Sequence, residues 1–162
     1  MIRAIVLALV VSMPVQAADF TAKPKHVGDG DTVSISLRAK GIDAPELKQH
    51  CADAMGKCYP CGRAAKDALT ALLGKGAVSV KVWETDRYER PVVTLYADGR
   101  DVHLEMIRQG QAVVYERYLA KELRASYLAA ETEARTARRG IWAGDFIEPA
   151  KWRRGERLAC ER

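Results

Sequence analysis

The order of strand-like and helix-like segments limits the folds open to this chain. Apolar and polar residues alternate at residues 32–37 and 78–82, which predicts strands there, and residues 92–96 are predicted as a third strand that ends at the turn Asp98-Gly99. Apolar residues at helical spacing predict helices at residues 64–73, 102–109 and 119–137. Strands come first and helices pack on or between them. The pattern therefore predicts an α+β domain, mainly β, in which a small barrel or curled sheet carries about three helices.

Residues 1–17 have the pattern of an export signal. Arg3 supplies a positive charge, residues 4–13 are mostly apolar, and VQA at residues 15–17 places small residues where signal peptidase cleaves. The apolar run is too short to anchor the protein in a bilayer. We therefore predict cleavage near Ala17 and a periplasmic or secreted protein with no membrane anchor. A short N-terminal helix retained in a cytosolic protein is the alternative.

The remainder of the 162-residue chain is long enough for one domain with a hydrophobic core. We find no internal repeat and no linker that would divide it. The prediction is a single folded domain over residues 18–147, followed by a basic C-terminal tail over residues 148–162. That tail either adds phosphate contacts or is a solvated segment.

Four cysteines remain after the predicted cleavage, and export would allow them to form disulfides. Four cysteines permit three pairings, among which sequence alone does not choose. Loop closure favours a bridge from Cys51 to Cys61 that clips one loop, which leaves Cys58 to join Cys160 and tie the tail to the domain.

The charge of the chain is modestly basic, with 26 Lys and Arg against 21 Asp and Glu, a net charge of +5. This excess fits an anionic partner such as nucleic acid. Many exported proteins are equally basic, so charge alone does not identify the partner.

Three acidic residues could converge on one site: Asp31 at the start of a strand, and Asp43 and Glu46 on either side of Pro45. Proline disfavours a helical conformation of the residue before it, so the chain through Asp43 should be extended and then bend. Two aspartates with a backbone carbonyl make an oxygen-rich half-shell suited to a hard cation such as Ca²⁺. The alternative is that these acids are only solvated turn residues.

Two arginines could add a phosphate site beside the acids. Arg38 lies five residues before Asp43, and Arg90 closes a polar stretch between two strands. A guanidinium group carries permanent charge and a planar set of donors that matches phosphate. The alternative is that each arginine pairs with a neighbouring acid at the surface.

Five strings of residues, in this order, resemble the staphylococcal nuclease (thermonuclease) family. They are VGDGDTV at 27–33, RAKGIDAPE at 38–46, TDRYERP at 85–91, LYADGR at 95–100 and IRQGQA at 107–112. The likeness runs from about residue 26 to residue 142. It implies an oligonucleotide-binding (OB) type five-stranded barrel with three helices, and a Ca²⁺-dependent phosphodiesterase that acts on DNA and RNA. We expect such a protein to be a monomer.

The resemblance also assigns roles to single residues. It implies metal binding by Asp31, Asp43 and the carbonyl of Ala44, a position where the family often has threonine. Glu46 matches the proposed general base, and Arg38 and Arg90 match the two phosphate-binding arginines. The substrate contacts implied are Arg87 and Tyr88 at a terminal phosphate, and Tyr115 and Tyr118 at a base pocket.

Two departures from the family pattern affect this site. Only six residues separate Asp31 from Arg38, so the usual hairpin between them is shortened or missing, and Arg38 could be aimed differently. Glu89 stands where the family commonly has glycine, and its carboxylate could compete with phosphate for Arg90.

Two other functions remain open. One is a nucleic-acid-binding barrel that has lost catalysis. The other is a thiol oxidoreductase, because Cys58 and Cys61 have the spacing of a redox pair, although the preceding residues do not resemble the strand that such a motif follows.

The three histidines lack metal-ligand spacing and are predicted to be surface or turn residues. Preference between DNA and RNA, and between strand ends and interior, is not encoded in these motifs.

Overall fold

The computed structural model describes residues 24–27, 30 and 33–161. The predicted signal peptide and Asp31 lie outside the described residues. The described part is a mixed α+β structure, which confirms the α+β class, although its strands do not outnumber its helices in residues as the expectation of a mainly β domain required. None of its helices combines the length and the apolar character needed to cross a membrane.

The strands of the described residues are mostly short. They are β1 (Pro24–Val27), β2 (Val33–Ile35), β3 (Arg38–Ala39), β4 (Ile42–Asp43), β5 (Cys51–Ala52), β6 (Cys58–Tyr59), β7 (Val78–Thr85), β8 (Pro91–Ala97), β9 (Arg100–Asp101) and β10 (Val113–Val114). In the central sheet β8 pairs antiparallel with β7 and β9 and parallel with β3. The remaining pairs, all antiparallel, are β1–β2, β4–β10 and β5–β6. Among the described residues these pairings do not close into one five-stranded barrel.

Three of the helices follow the predicted segments closely: α1 (Cys61–Leu73), α2 (Val102–Arg108) and α3 (Lys121–Thr136). Helix α2 begins where predicted because Asp101 caps it, its carboxylate accepting from the backbone N–H groups of His103 and Leu104. Apolar faces of α1, α2 and α3 meet in one core around Met106, Ile107 and Tyr127.

A fourth helix, α4 (Pro149–Arg153), lies in the segment that was expected to be a tail. Proline at the first helical position favours its start, because that N–H needs no helical partner. The described residues therefore contain four α-helices rather than the three predicted, and part of the C-terminal segment is helical.

Both disulfides have the pairing that loop closure favoured. Cys51 is bonded to Cys61, and Cys58 to Cys160. The first bridge joins β5 to the start of α1, and the second ties the C-terminal segment to β6. No cysteine is free, so Cys58 and Cys61 do not form a redox-active dithiol.

One histidine prediction was wrong. His103 lies on α2 with 1% of its surface exposed, and its Nδ1 has no hydrogen-bond partner among the described residues. Burial lowers the pKa of His103 to about 4. The charge of Asp101 and a hydrogen bond with the backbone of Lys40 act in the opposite direction and raise this pKa, but burial is the larger effect. This histidine is therefore neutral in the folded protein near pH 7.

Candidate active site

A cavity of about 860 Å³ gathers most of the residues singled out in the sequence. It opens between β3, the turn at residues 86–90, the segment at residues 115–118 and α4. The predicted site residues in its lining are Arg38, Glu46, Arg87, Tyr88, Arg90, Tyr115 and Tyr118. Four separate parts of the chain thus meet at one surface.

The backbone around Gly41 brings two of these parts together. Gly41 has φ +70, and a Cβ there would lie 2.6 Å from Cδ1 of Leu119. Its carbonyl accepts from the N–H of Tyr115 at 2.9 Å, and β4 pairs with β10 immediately afterwards. The segment carrying Asp43 is therefore fixed against the segment carrying both tyrosines.

Glu46 lines this cavity, and the Asp43 carboxylate lies 3.6 Å from Nη2 of Arg38, which also lines it. Asp43 ends β4 with only 4% of its side chain exposed, whereas 38% of the Glu46 side chain is exposed. The extended chain through Asp43 and the following turn at residues 47–48 match the bend predicted at Pro45.

The backbone of Glu46 is held by two neighbours. Its N–H donates to Oε1 of the fully buried Gln49 at 3.1 Å, and its carbonyl accepts from the N–H of Gln49 at 2.7 Å. Helix α1 approaches so closely at Gly62 that a Cβ there would lie 1.7 Å from the Glu46 carbonyl oxygen. The position of Glu46 thus depends on contacts that the sequence motif alone did not reveal.

Arg153 of α4 binds both acids. Its Nη1 and Nη2 donate to the two Asp43 oxygens at 3.0 Å and 2.7 Å, and Nη1 also donates to Oε1 of Glu46 at 2.7 Å. Hydrogen bonds to Asp43 raise the pKa of Arg153, burial opposes this, and Glu46 raises it further. The acids therefore converge on one positive charge.

Arg38 and Arg90 both face the cavity and are each 37% exposed. Nη2 of Arg38 lies 3.6 Å from Oδ1 of Asp43, so the shortened segment before it still brings Arg38 to the acids. Arg90 donates through Nε and Nη2 to Oδ2 of Asp86 at 2.9 Å and 2.7 Å. The alternative of a local ion pair thus holds for Arg90 in this structure.

The turn at residues 86–90 is organised by Asp86. Partial desolvation raises its pKa, but hydrogen bonds from Arg90 and Tyr88 outweigh that effect, so the pKa of Asp86 lies below its usual value. Glu89 has φ 59, a left-handed conformation in which glycine is unstrained. This explains why glycine suits that position in the family pattern.

Aromatic rings line two sides of the cavity. Tyr88 is 59% exposed, and the guanidinium groups of Arg87 and Arg90 lie 4.9 Å and 5.4 Å from its ring centroid. The rings of Tyr115 and Tyr118 are 5.2 Å apart and tilted by 52°. Exposed rings beside cationic groups are suited to stacking with bases of a single strand.

The donors available for a metal ion are carboxylate and carbonyl oxygens. Asp31 lies outside the described residues, and no group of three or more His, Cys, Asp or Glu suited to a metal occurs within the described part of the chain. Asp43 and Glu46 nevertheless bind one cationic group together, with Ala44 between them in sequence. These hard oxygen donors suit Ca²⁺.

The sequence did not single out Arg153 or Gln49. Neither belongs to an apolar pattern or to a recognised string. The only signals were the density of arginine in the C-terminal segment and the presence of Cys160, whose disulfide fixes that segment beside the acids.

Comparisons with known proteins identify relatives along most of the chain. The family model described as staphylococcal nuclease homologue matches residues 36–144. An uncharacterized endonuclease of Escherichia coli is 33% identical over 153 residues, which cover 89% of this chain and 92% of that protein. An uncharacterized endonuclease of Haemophilus influenzae is 31% identical over 147 residues, covering 85% and 75%. A probable staphylococcal-like nuclease of Oryza sativa subsp. japonica is 34% identical over 124 residues, covering 76% of this chain but only 29% of that longer protein.

Proposed function

This chain belongs to the staphylococcal nuclease family, and we propose that it is a Ca²⁺-dependent nuclease that hydrolyses phosphodiester bonds in DNA, RNA or both. The observation that carries the proposal is the convergence of Asp43 and Glu46 on one cationic group, beside a cavity that Arg38 and Arg90 also line. The relatives named as endonucleases support it. The family further implies an OB-type barrel.

Export to the periplasm or the outside of the cell is part of the proposal. Two disulfides support it, because such bonds persist in oxidising compartments. The export-signal pattern of residues 1–17 also supports it. We expect the protein, once the signal is cleaved, to act as a monomer.

Asp43, together with the carbonyl of Ala44 and with Asp31, would hold the Ca²⁺ ion. When bound, the ion would polarise a phosphoryl oxygen and offset its negative charge. The low exposure of Asp43 limits competition from water for its oxygens. Asp43 would therefore be the main ligand among the described residues.

Glu46 would take a proton from the water that attacks phosphorus. Its partly exposed carboxylate reaches the cavity, so that water and substrate can approach it. Proton transfer of this kind depends first on hydrogen-bonding geometry. The contacts of Gln49 and Gly62 with the Glu46 backbone would supply that geometry.

Arg38 and Arg90 would bind the phosphate and the additional charge that develops in the transition state. Arg90 would exchange its contact with Asp86 for one with phosphate, which the 37% exposure of its side chain permits. Arg87 and Tyr88 would contact a terminal phosphate, and Tyr115 and Tyr118 a base.

A nucleic-acid-binding protein without catalysis is the second candidate. Two contacts favour it: Arg153 occupies the acid pair, and Asp86 occupies Arg90. The nuclease is favoured because Arg38, Glu46 and Arg90, which the resemblance assigns to catalysis, all match the family pattern.

Digestion of plasmid DNA and of single-stranded RNA separates the two candidates. Wild-type protein with Ca²⁺ should cleave, chelator should stop cleavage, and Glu46→Ala should lower the rate at least about 100-fold. Glu122→Ala removes an exposed helical acid outside the cavity and should retain the wild-type rate. Binding of both substrates without cleavage in Ca²⁺ would support the second candidate instead.

A further inference from the structure

The C-terminal segment contributes a cation to the proposed active site. We propose that Arg153 is an internal competitor of the divalent cation: it occupies the Asp43–Glu46 pair and must leave before the ion can bind. This inference rests on the proposed function, because it concerns the same acids, but it adds a regulatory contact that neither the sequence motifs nor the family match assigns.

Arg153 holds the same carboxylate oxygens that a Ca²⁺ ion at this site would use. The guanidinium group uses both oxygens of Asp43 and one oxygen of Glu46. A Ca²⁺ ion requires oxygen ligands at about 2.3–2.6 Å, which is closer than a guanidinium nitrogen approaches. An ion bound to Asp43 would therefore lie within a few Å of the Arg153 guanidinium group, and repulsion between the two positive charges makes them compete for the acid pair.

Arg153 also has a route away from the acids. Its side chain is 37% exposed and lines the 860 Å³ cavity. A flexible side chain can therefore move into the cavity without unfolding of α4. Once displaced, the guanidinium group would remain in the region proposed to hold substrate phosphate.

The segment that carries Arg153 is anchored on both sides. Before α4, the carbonyl of Ile147 accepts from Nε2 of Gln49 at 2.6 Å. After it, Cys160 is bonded to Cys58, and Oε1 of Glu161 accepts from the N–H of His50 at 2.8 Å and from Nε1 of Trp152 at 3.0 Å.

These anchors attach the segment to the loop that follows Glu46. Tethering gives Arg153 a high effective concentration at the acid pair, as a linker does for a second binding group. The arrangement therefore raises the Ca²⁺ concentration needed to fill the site, and it would keep the protein inactive where Ca²⁺ is scarce.

Direct measurement of Ca²⁺ binding without substrate tests the inference. Calorimetric titration with calcium chloride would compare wild type with Arg153→Met, which keeps much of the aliphatic stem but removes the guanidinium group. If the acid pair is free of Arg153 about a tenth of the time or less, the variant should bind Ca²⁺ at least about tenfold more tightly. Arg153→Ala serves as a second variant should Met disturb folding.

Arg154→Met is the matched control, because it removes the same charge from the adjacent residue, which makes no side-chain contact with the acids. It should change Ca²⁺ affinity less than about twofold. The inference would be overturned if Arg153→Met and Arg154→Met changed Ca²⁺ affinity equally, or if Arg153→Met bound Ca²⁺ more weakly than wild type. It would also be overturned if neither wild type nor Arg153→Met bound Ca²⁺. If wild type cleaves in Ca²⁺ but wild type and Arg153→Met bind the ion equally, only the competitor role is contradicted. If neither wild type nor Arg153→Met cleaves in Ca²⁺, the proposed function is contradicted.

Discussion

At the scale of single residues, the site depends on which partner each charged side chain holds. Asp43 and Glu46 share Arg153, and Arg90 is held by Asp86. The motifs identified both acids and both arginines, because their residue types and order are local properties of the sequence. They did not identify these partners, since a contact between residues 43 and 153 depends on how the whole chain folds.

Arg90→Ala should lower the turnover number by about 100- to 1,000-fold, because it removes a donor aimed at developing phosphate charge. Its free energy of unfolding should change by less than about 1 kcal/mol, since the pair with Asp86 is partly exposed. Steady-state kinetics and urea unfolding measure the two effects. Arg100→Ala, at an exposed position outside the cavity, is the control. Unchanged turnover in Arg90→Ala would remove the assignment.

His103 should make the protein sensitive to acid. Its pKa is about 4 in the folded state and near 6.5 in the unfolded chain, so between these values the unfolded state binds more protons. Stability should therefore fall as the pH drops from about 6.5 towards 4, with a loss of up to about 3 kcal/mol from this group.

Urea unfolding at pH 4.5 and pH 7.5 would measure this loss. His103→Gln should show a smaller difference between the two pH values than wild type, whereas His26→Gln, at an exposed position, should match wild type. The same pH dependence in His103→Gln and wild type would assign the acid sensitivity to other groups.

At the scale of elements, the sequence predicted α1, α2 and α3 well because each has an apolar face with helical spacing. It missed α4, whose five residues are too few for such a pattern and whose start depends on Pro149. It also extended β2 (Val33–Ile35) to residues 32–37 and did not predict β3 (Arg38–Ala39) as a separate strand. Strand β2 pairs with β1, whereas β3 pairs with β8. The alternation of apolar residues does not indicate where the chain changes its pairing partner.

Gly62→Ala tests whether α1 positions Glu46. The added Cβ would meet the Glu46 carbonyl oxygen at 1.7 Å and its carbon at 2.6 Å, and backbone atoms cannot move aside cheaply. We expect a loss of about 1–3 kcal/mol in unfolding free energy and a lower turnover number. Gly76→Ala, where nothing lies within 4 Å of the new Cβ, should leave turnover unchanged. Wild-type turnover in Gly62→Ala would show that Glu46 does not depend on this contact.

At the scale of the whole molecule, the Cys58–Cys160 disulfide connects the C-terminal segment to the region beside the active site. The sequence limited the pairing to three possibilities and favoured the observed one. It did not predict that the connected segment would supply a side chain to the acids. That outcome depends on Glu161, whose carboxylate accepts from the N–H of His50 and from Nε1 of Trp152 and so links the segment to the loop at His50.

Replacing Cys58 and Cys160 together with alanine should destabilise the protein strongly. The bond spans 102 positions, and the chain-entropy relation gives about 4.7 kcal/mol for a loop of that length. Guanidinium unfolding of the oxidised wild type and the double variant measures the difference. A loss below about 1 kcal/mol would mean that the disulfide contributes little to holding the C-terminal segment.

The most direct test of the central claim is a crystal structure with Ca²⁺ and a non-hydrolysable dinucleotide. The claim predicts the ion at about 2.3–2.6 Å from Asp43, the phosphodiester between Arg38 and Arg90, and Glu46 within hydrogen-bonding reach of a water facing phosphorus. A dinucleotide bound outside this cavity, or an ion with no contact to Asp43, would contradict it.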